Sequence, residues 1–208
     1  MAVKQKLAYQ PKRRNTGDRQ RKSIILLASE GKNKTETLYF RCFSSSKYVI
    51  RFAHGDYTDP VNMIYALKNE AKELGLDAKL GDQAYCLVDS DIDASKDTSI
   101  RKADQLSGVL TKVIVSNPCF EIWYLCHYTA STHEYATNTE VINALQRYVP
   151  DYKKNMQGLY DRLLDRQANA IENAKFLEKH CSDLGKIPHT VSFGPSTEVY
   201  RIVEELTE

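Results

Sequence analysis

Four apolar runs of strand length, separated by helix-length segments, limit the folds open to this chain more than any other feature. They occupy residues 23–28, 48–54, 84–88 and 111–115. The first, SIILLA, shows no alternation of polar and apolar residues. Such a run suits a strand covered on both faces, as in a parallel sheet. The intervening segments read as helices over 34–43, 61–74, 98–106 and 118–128, with Pro60 suited to a helix start and Gly75 to a stop. Strand, helix, strand, helix in this order predicts an α/β fold, a largely parallel sheet flanked by crossover helices. Beyond residue 130 the pattern turns helical, over 139–148 and 159–180, with a last helix beginning near Ser196 or Thr197. The expected organisation is a basic flexible arm at 1–22, an α/β core at 23–130 and a C-terminal helical elaboration at 131–208 that packs on the core.

At 208 residues, 42% of them hydrophobic and 27% charged, the chain can bury a real core. No stretch is long and apolar enough to cross a bilayer, and no signal-peptide pattern opens the chain. The expectation is a cytoplasmic protein without a membrane partner. Five cysteines without a CxxC pair fit reduced thiols better than disulfides or a zinc site. The net charge of +2 hides an asymmetry: residues 1–22 hold eight basic side chains against Asp18 alone, so the rest of the chain is acidic overall. A basic arm ahead of an acidic body can attract a polyanion such as nucleic acid, or can simply be a solvated tail.

The third apolar run ends abruptly in acids, as CLVDSDID at 86–93. Ligands of open parallel sheets bind beyond the carboxyl ends of the strands. Glu30 follows the first strand and Asp89 the third, so a parallel sheet brings them to one edge. Asp89 and Asp91, two apart, share a side if the backbone is extended. Hard oxygen ligands of this kind suit Mg²⁺ or Mn²⁺. The alternative is a solvated acidic turn with Asp93 capping the next helix; Glu30 at a second strand end favours the metal.

Other chemistries find less support. Gly31-Lys32 and Lys34-Thr35 lack the glycine and the GK[ST] ending of a P-loop, although Lys32 and Lys34 could meet a substrate phosphate near Glu30. The five histidines form no HExxH or HxH, and no GxSxG elbow is present. Glu121 lies inside an apolar helix beside Trp123 and must either find a partner or face the site, because a buried lone carboxylate is costly. Trp123, Tyr124 and Tyr128 read as core. Arg147, Lys153, Lys154, Arg162 and Arg166, with Tyr148, Tyr152 and Tyr160, read as a solvated helix surface or as a face for a nucleic-acid backbone.

A glutamate after the first strand and a DxD after a later one resemble the Toprim fold of topoisomerases, primases and related nucleases. More specifically, ASEGKNKTETLYF (28–40), CLVDSDID (86–93), IVSNPCFEIWYLCHY (114–128) and GPSTEVYRIVEEL (194–206) resemble the RloB-like family of restriction-linked and phage-defence proteins. In that family an asparagine often precedes Pro-Ser-Thr, where this chain has Gly194. The resemblance implies a Toprim-like, Mg²⁺-dependent nuclease encoded beside an ATPase. On it, Glu30 corresponds to a general acid/base and metal ligand, Asp89 and Asp91 to the metal-binding pair, and Asp93 to a water-mediated helper. Glu36 recurs in the same motif.

The expected function is phosphodiester hydrolysis of DNA or RNA, tRNA included, in a prokaryotic defence system, with an ATPase partner. Self-association is left open. The competing reading is a metal-binding subunit that regulates or scaffolds without cutting. A phosphatase with an aspartyl nucleophile ranks last, since Glu30 stands where that nucleophile belongs.

Overall fold

The computed structural model describes residues 21–30, 34–43, 45–55 and 57–207. Most of the basic arm and Lys32 lie outside them, as does the side chain of Lys34. Arg21 and Lys22, counted with the arm in the sequence, are tied to the body. The Arg21 guanidinium pairs with both oxygens of the fully buried Asp82, and Lys22 Nζ donates to the Ser45 carbonyl.

Five strands form one sheet: β1 (Ser23–Ser29), β2 (Tyr48–Phe52), β3 (Gln83–Asp89), β4 (Thr111–Asn117) and β5 (Ser196–Thr197). Their order is β2-β1-β3-β4-β5. The first four are parallel, and β5 joins β4 antiparallel. The helices are α1 (Lys34–Phe40), α2 (Pro60–Glu73), α3 (Lys96–Leu106), α4 (Glu121–Cys126), α5 (Asn138–Gln146), α6 (Leu159–Leu163), α7 (Gln167–Asp183) and α8 (Val199–Thr207). The protein is thus α/β, with a mostly parallel sheet, flanking helices and a C-terminal helix.

The unbroken apolar runs follow from burial on both faces. In β1, Ile25 and Leu27 enter one core with Tyr85, Leu87 and Ile114 under residues of α1, α4, α7 and α8. Leu26 and Ala28 point the other way, into a second core with Cys86, Val88 and Val115 beneath α2 and α3. The two-residue period of a strand sends successive side chains to opposite layers, and here both layers are apolar.

Several elements depart from expectation. Asp89 is the last residue of β3 and pairs with Ser116, rather than lying just past the strand. Asp91 is not extended: Asp91 and Ile92 both take left-handed backbone, with φ of 51° and 57°. The expected helix at 118–128 shortens to α4, behind a cis Asn117–Pro118 bond. The segment 159–180 is broken by a 3-10 turn at Leu164–Arg166. Ser196 and Thr197, expected as a helix start, are strand β5, and the helix begins only at Val199. The Thr197 hydroxyl still accepts from the Val199 N–H, so the capping chemistry is present alongside the pairing.

Candidate acidic site at the carboxyl edge of the sheet

In the order β2-β1-β3-β4 the chain runs outward from β1 to one side and from β3 to the other. The crevice of such a sheet lies where this reversal occurs, between β1 and β3. Glu30 leaves the end of β1 and Asp89 ends β3, so both flank the crevice. The chain then turns sharply through Asp91 and Ile92. Left-handed backbone is rare for a β-branched residue, and its cost is borne here at the sheet edge beside the acids.

Lys96, the first residue of α3, binds this edge together. Its ammonium donates to Glu30 Oε2 at 2.8 Å, to Asp91 Oδ2 at 2.6 Å and to the Asp89 carbonyl at 3.2 Å. Glu30 and Asp91 therefore share one ammonium. Asn138, at the start of α5, donates to the other Asp91 oxygen at 2.8 Å. Asp93 turns away into the loop, where its carboxylate accepts from the Ser95 N–H at 2.9 Å. It does not cap α3, whose N-cap is Ser95 and has no side-chain cap bond; Asp93 closes the turn just before the helix.

A second tier lies deeper. Glu121 is 2% exposed and accepts from the Tyr152 hydroxyl at 2.9 Å, with Lys154 Nζ at 3.9 Å from the same oxygen. The partner that burial demanded for Glu121 is thus supplied by the loop before α6. The same loop reaches α1, where Thr35 and Asn155 exchange hydrogen bonds through side chain and backbone. Glu36, next to Thr35, is buried. Asp89 stands among all of these acids, within the fields of Glu36, Glu121, Asp91 and Glu30.

The electrostatics follow from five carboxylates set against two lysines. Burial, then the neighbouring acids, raises the Asp89 pKa well above the usual carboxylate range. Burial first, and Glu121 and Glu30 after it, push Glu36 up to about 7. Glu30 is also raised, by burial that outweighs its hydrogen bond from Lys96. For Lys96 burial works against the charge, but its hydrogen bonds to Asp91 and Glu30 prevail and its pKa rises. Lys154 is raised likewise: burial opposes its charge, and Glu121 is the foremost of the groups that overcome it.

Two carboxylate oxygens, Glu30 Oε1 and Glu36 Oε2, are buried without a hydrogen-bond partner. An orphaned buried oxygen in an acid-rich site is what a hard cation would satisfy, so the donor chemistry fits Mg²⁺ or Mn²⁺. Among the described residues, no group of three or more His, Cys, Asp or Glu is arranged to hold a metal ion. The positive charge between Glu30 and Asp91 is instead the Lys96 ammonium.

A family model described as RloB-like protein matches residues 25–206. The chain belongs to the RloB-like family. No curated protein and no solved structure matches it. Gly194 has a local reason: a Cβ there would stand 2.7 Å from Asn117 Oδ1. Asn117 fills that space while donating to the Thr190 and Val191 carbonyls.

Sequence reasoning missed Lys96, Asn138, Tyr152 and Lys154 as members of the site. Lys96 gave no signal, since the expected helix began at residue 98 and only the structure makes Lys96 its first residue, where a cation opposes the helix dipole. Tyr152 and Lys154 reach the acids from a loop whose position only the tertiary fold sets. His54 is exposed and pairs with Glu70. Trp123 and Tyr124 are buried in the core, as expected. Arg162 pairs with Asp151 on the surface.

Proposed function

We propose that this RloB-like protein is a metal-dependent phosphodiesterase acting on nucleic acid, DNA or RNA, within a prokaryotic defence system and alongside an ATPase. The observation that carries the reading is the cluster of five carboxylates at the sheet's switch point with two buried oxygens left without partners. Toprim-like chemistry, the defence setting and the ATPase come from the resemblance in the sequence.

Glu30, Asp89 and Asp91 would hold Mg²⁺ or Mn²⁺, with Glu36 and Glu121 as the deeper acids. A bound ion supplies there a water of lowered pKa and positive charge against the phosphate. Glu30, whose raised pKa places it nearer neutrality than an ordinary glutamate, handles a proton. Lys96 lies at the outer edge with its three donors on Glu30, Asp91 and the Asp89 carbonyl, so it meets a phosphate oxygen only by releasing one of them. Tyr152 and Lys154 keep Glu121 oriented from below.

The test is cleavage of labelled DNA, RNA and tRNA with Mg²⁺ or Mn²⁺, by the chain alone and together with an ATPase if one is encoded beside it. Asp89→Asn and Glu30→Gln should each abolish cutting. Asp89→Asn should keep or raise the metal-free melting temperature, because it removes a charge that its neighbours repel. Metal-supported cleavage that survives both substitutions would sink the mechanism. A non-cleaving metal-binding subunit is the second reading, since the same acids can hold an ion without cutting a phosphodiester. Calorimetric binding of Mn²⁺ without cleavage of any substrate would select it.

A further inference from the structure

Beside the acidic loop lies a cavity of about 300 Å³. Ile92, which follows Asp91 directly, lines it together with Pro118, Tyr135, Lys186 and Pro195. Its volume is at the lower end of small-ligand sites, about 300–1,000 Å³, and suits one flat ring system rather than an extended ligand. Lys186 brings a positive charge to its wall, shared between Glu134 on the rim and the Gly194 carbonyl.

Tyr135 connects the cavity to a second feature. Its electrostatic neighbours include Arg147 and Tyr148. Tyr148 stacks on Tyr128, with ring centroids 4.9 Å apart and planes 12° from parallel. The Arg166 guanidinium lies over the Tyr128 ring at 5.1 Å. Although one face is covered by this stack, Tyr148 remains 46% exposed. Tyr148 thus offers an ordered aromatic ring with open surface, next in sequence to Arg147 and one ring away from the Arg166 guanidinium.

We infer that nucleic acid reaches the acidic edge as an unpaired strand, one base entering the Tyr135–Lys186 cavity and a neighbouring base stacking on Tyr148. A duplex keeps its base faces stacked inside and offers only edges and backbone. A cavity for one ring and an open stacking platform both require free base faces, and nearby cations attract the backbone between them. The inference deepens the phosphodiesterase reading and rests on it for the position of the scissile phosphate. Strand binding is measurable without cleavage.

The experiment measures fluorescence anisotropy of labelled single-stranded DNA, single-stranded RNA and the matching duplexes on the full chain carrying Asp89→Asn. Single strands should bind more tightly than duplex. Tyr148→Ala should weaken single-strand binding about tenfold, the effect of one lost base–aromatic stack. Tyr148→Phe, which keeps the ring, should restore it, and Tyr135→Ala should also weaken it. The DNA and RNA arms tell which sugar is preferred. Equal affinity for duplex and single strand overturns the inference, as does a Tyr148→Ala protein that binds like its parent or a Tyr148→Phe protein that fails like Tyr148→Ala. If the parent chain with Asp89 restored cuts nothing while ring-dependent strand binding persists, the phosphodiesterase reading falls and this one stands.

Discussion

Lys96 and His127 show how much a single side chain can carry that its sequence position does not announce. The acids of CLVDSDID were legible because three aspartates after an apolar run are conspicuous. Their counter-ions were not, because Lys96 and Lys154 look like ordinary surface lysines until the fold sets them against Glu30, Asp91 and Glu121. His127 is the reverse case: it falls in the apolar stretch 118–128 and is 1% exposed behind Trp123. Its Nδ1 lies 2.9 Å from the Trp123 carbonyl, which only an N–H can satisfy, and its Nε2 is buried without a partner. Burial, the largest influence, pulls its pKa from 6.5 down to about 4. The folded state therefore favours the neutral ring. This contribution is complete above pH 6.5 and is lost as the pH falls toward 4, on the order of 3 kcal/mol in all. Glu36 acts with the opposite sign: with its pKa raised to about 7, its contribution is complete below 4.5 and lost as the pH rises through 7. The effect of His127 is thus read between proteins, not along one curve. Urea midpoints should fall less between pH 7 and pH 4 in His127→Phe than in the parent. Identical slopes would remove His127 from the acid limb.

At the scale of elements, the four parallel strands and α2 were legible because each carries a full period of its pattern. The fifth strand was not, because two residues hold no period and Ser-Thr-Glu is also how helices begin. Its pairing is completed by a side chain. Glu198 donates its backbone N–H to the Val115 carbonyl and accepts the Val115 N–H on Oε2, both at 3.0 Å. One residue thus satisfies both backbone groups of Val115 where the two-residue strand has run out. The same oxygen meets His189 Nε2 at 3.1 Å. Glu198→Ala leaves a partly buried N–H without its acceptor, a loss of about 1–3 kcal/mol. For a chain of this size each kcal/mol moves the melting temperature by about 2–4 °C. Thermal unfolding should show that drop for Glu198→Ala and a smaller one for Glu198→Gln, which keeps an acceptor oxygen. Equal drops would mean that charge, rather than hydrogen bonding, holds this corner.

For the whole molecule the governing quantity is the separation of charge between the first residues and the rest. The six basic side chains of residues 1–20 face a body that is acidic overall, whereas Arg21 is committed to Asp82. Deleting residues 1–20 while keeping Arg21 should leave the melting temperature unchanged and flatten the salt dependence of nucleic-acid binding, since fewer counterions are released. A salt slope unaltered by the deletion would confine the arm to solubility. The acidic edge itself is gathered from distant parts of the chain: Glu30 from β1, Asp89 from β3, Glu121 from α4, Lys154 from the loop before α6. The sheet beside it closes only when Ser196 and Thr197 pair with β4. During synthesis Lys96 follows Asp89 and Asp91 closely, whereas Lys154 and the last strand come well after Glu121. A chain still on the ribosome would hold Glu121 without Tyr152 and Lys154, and its acidic edge would take its full setting only once Ser196 and Thr197 are made.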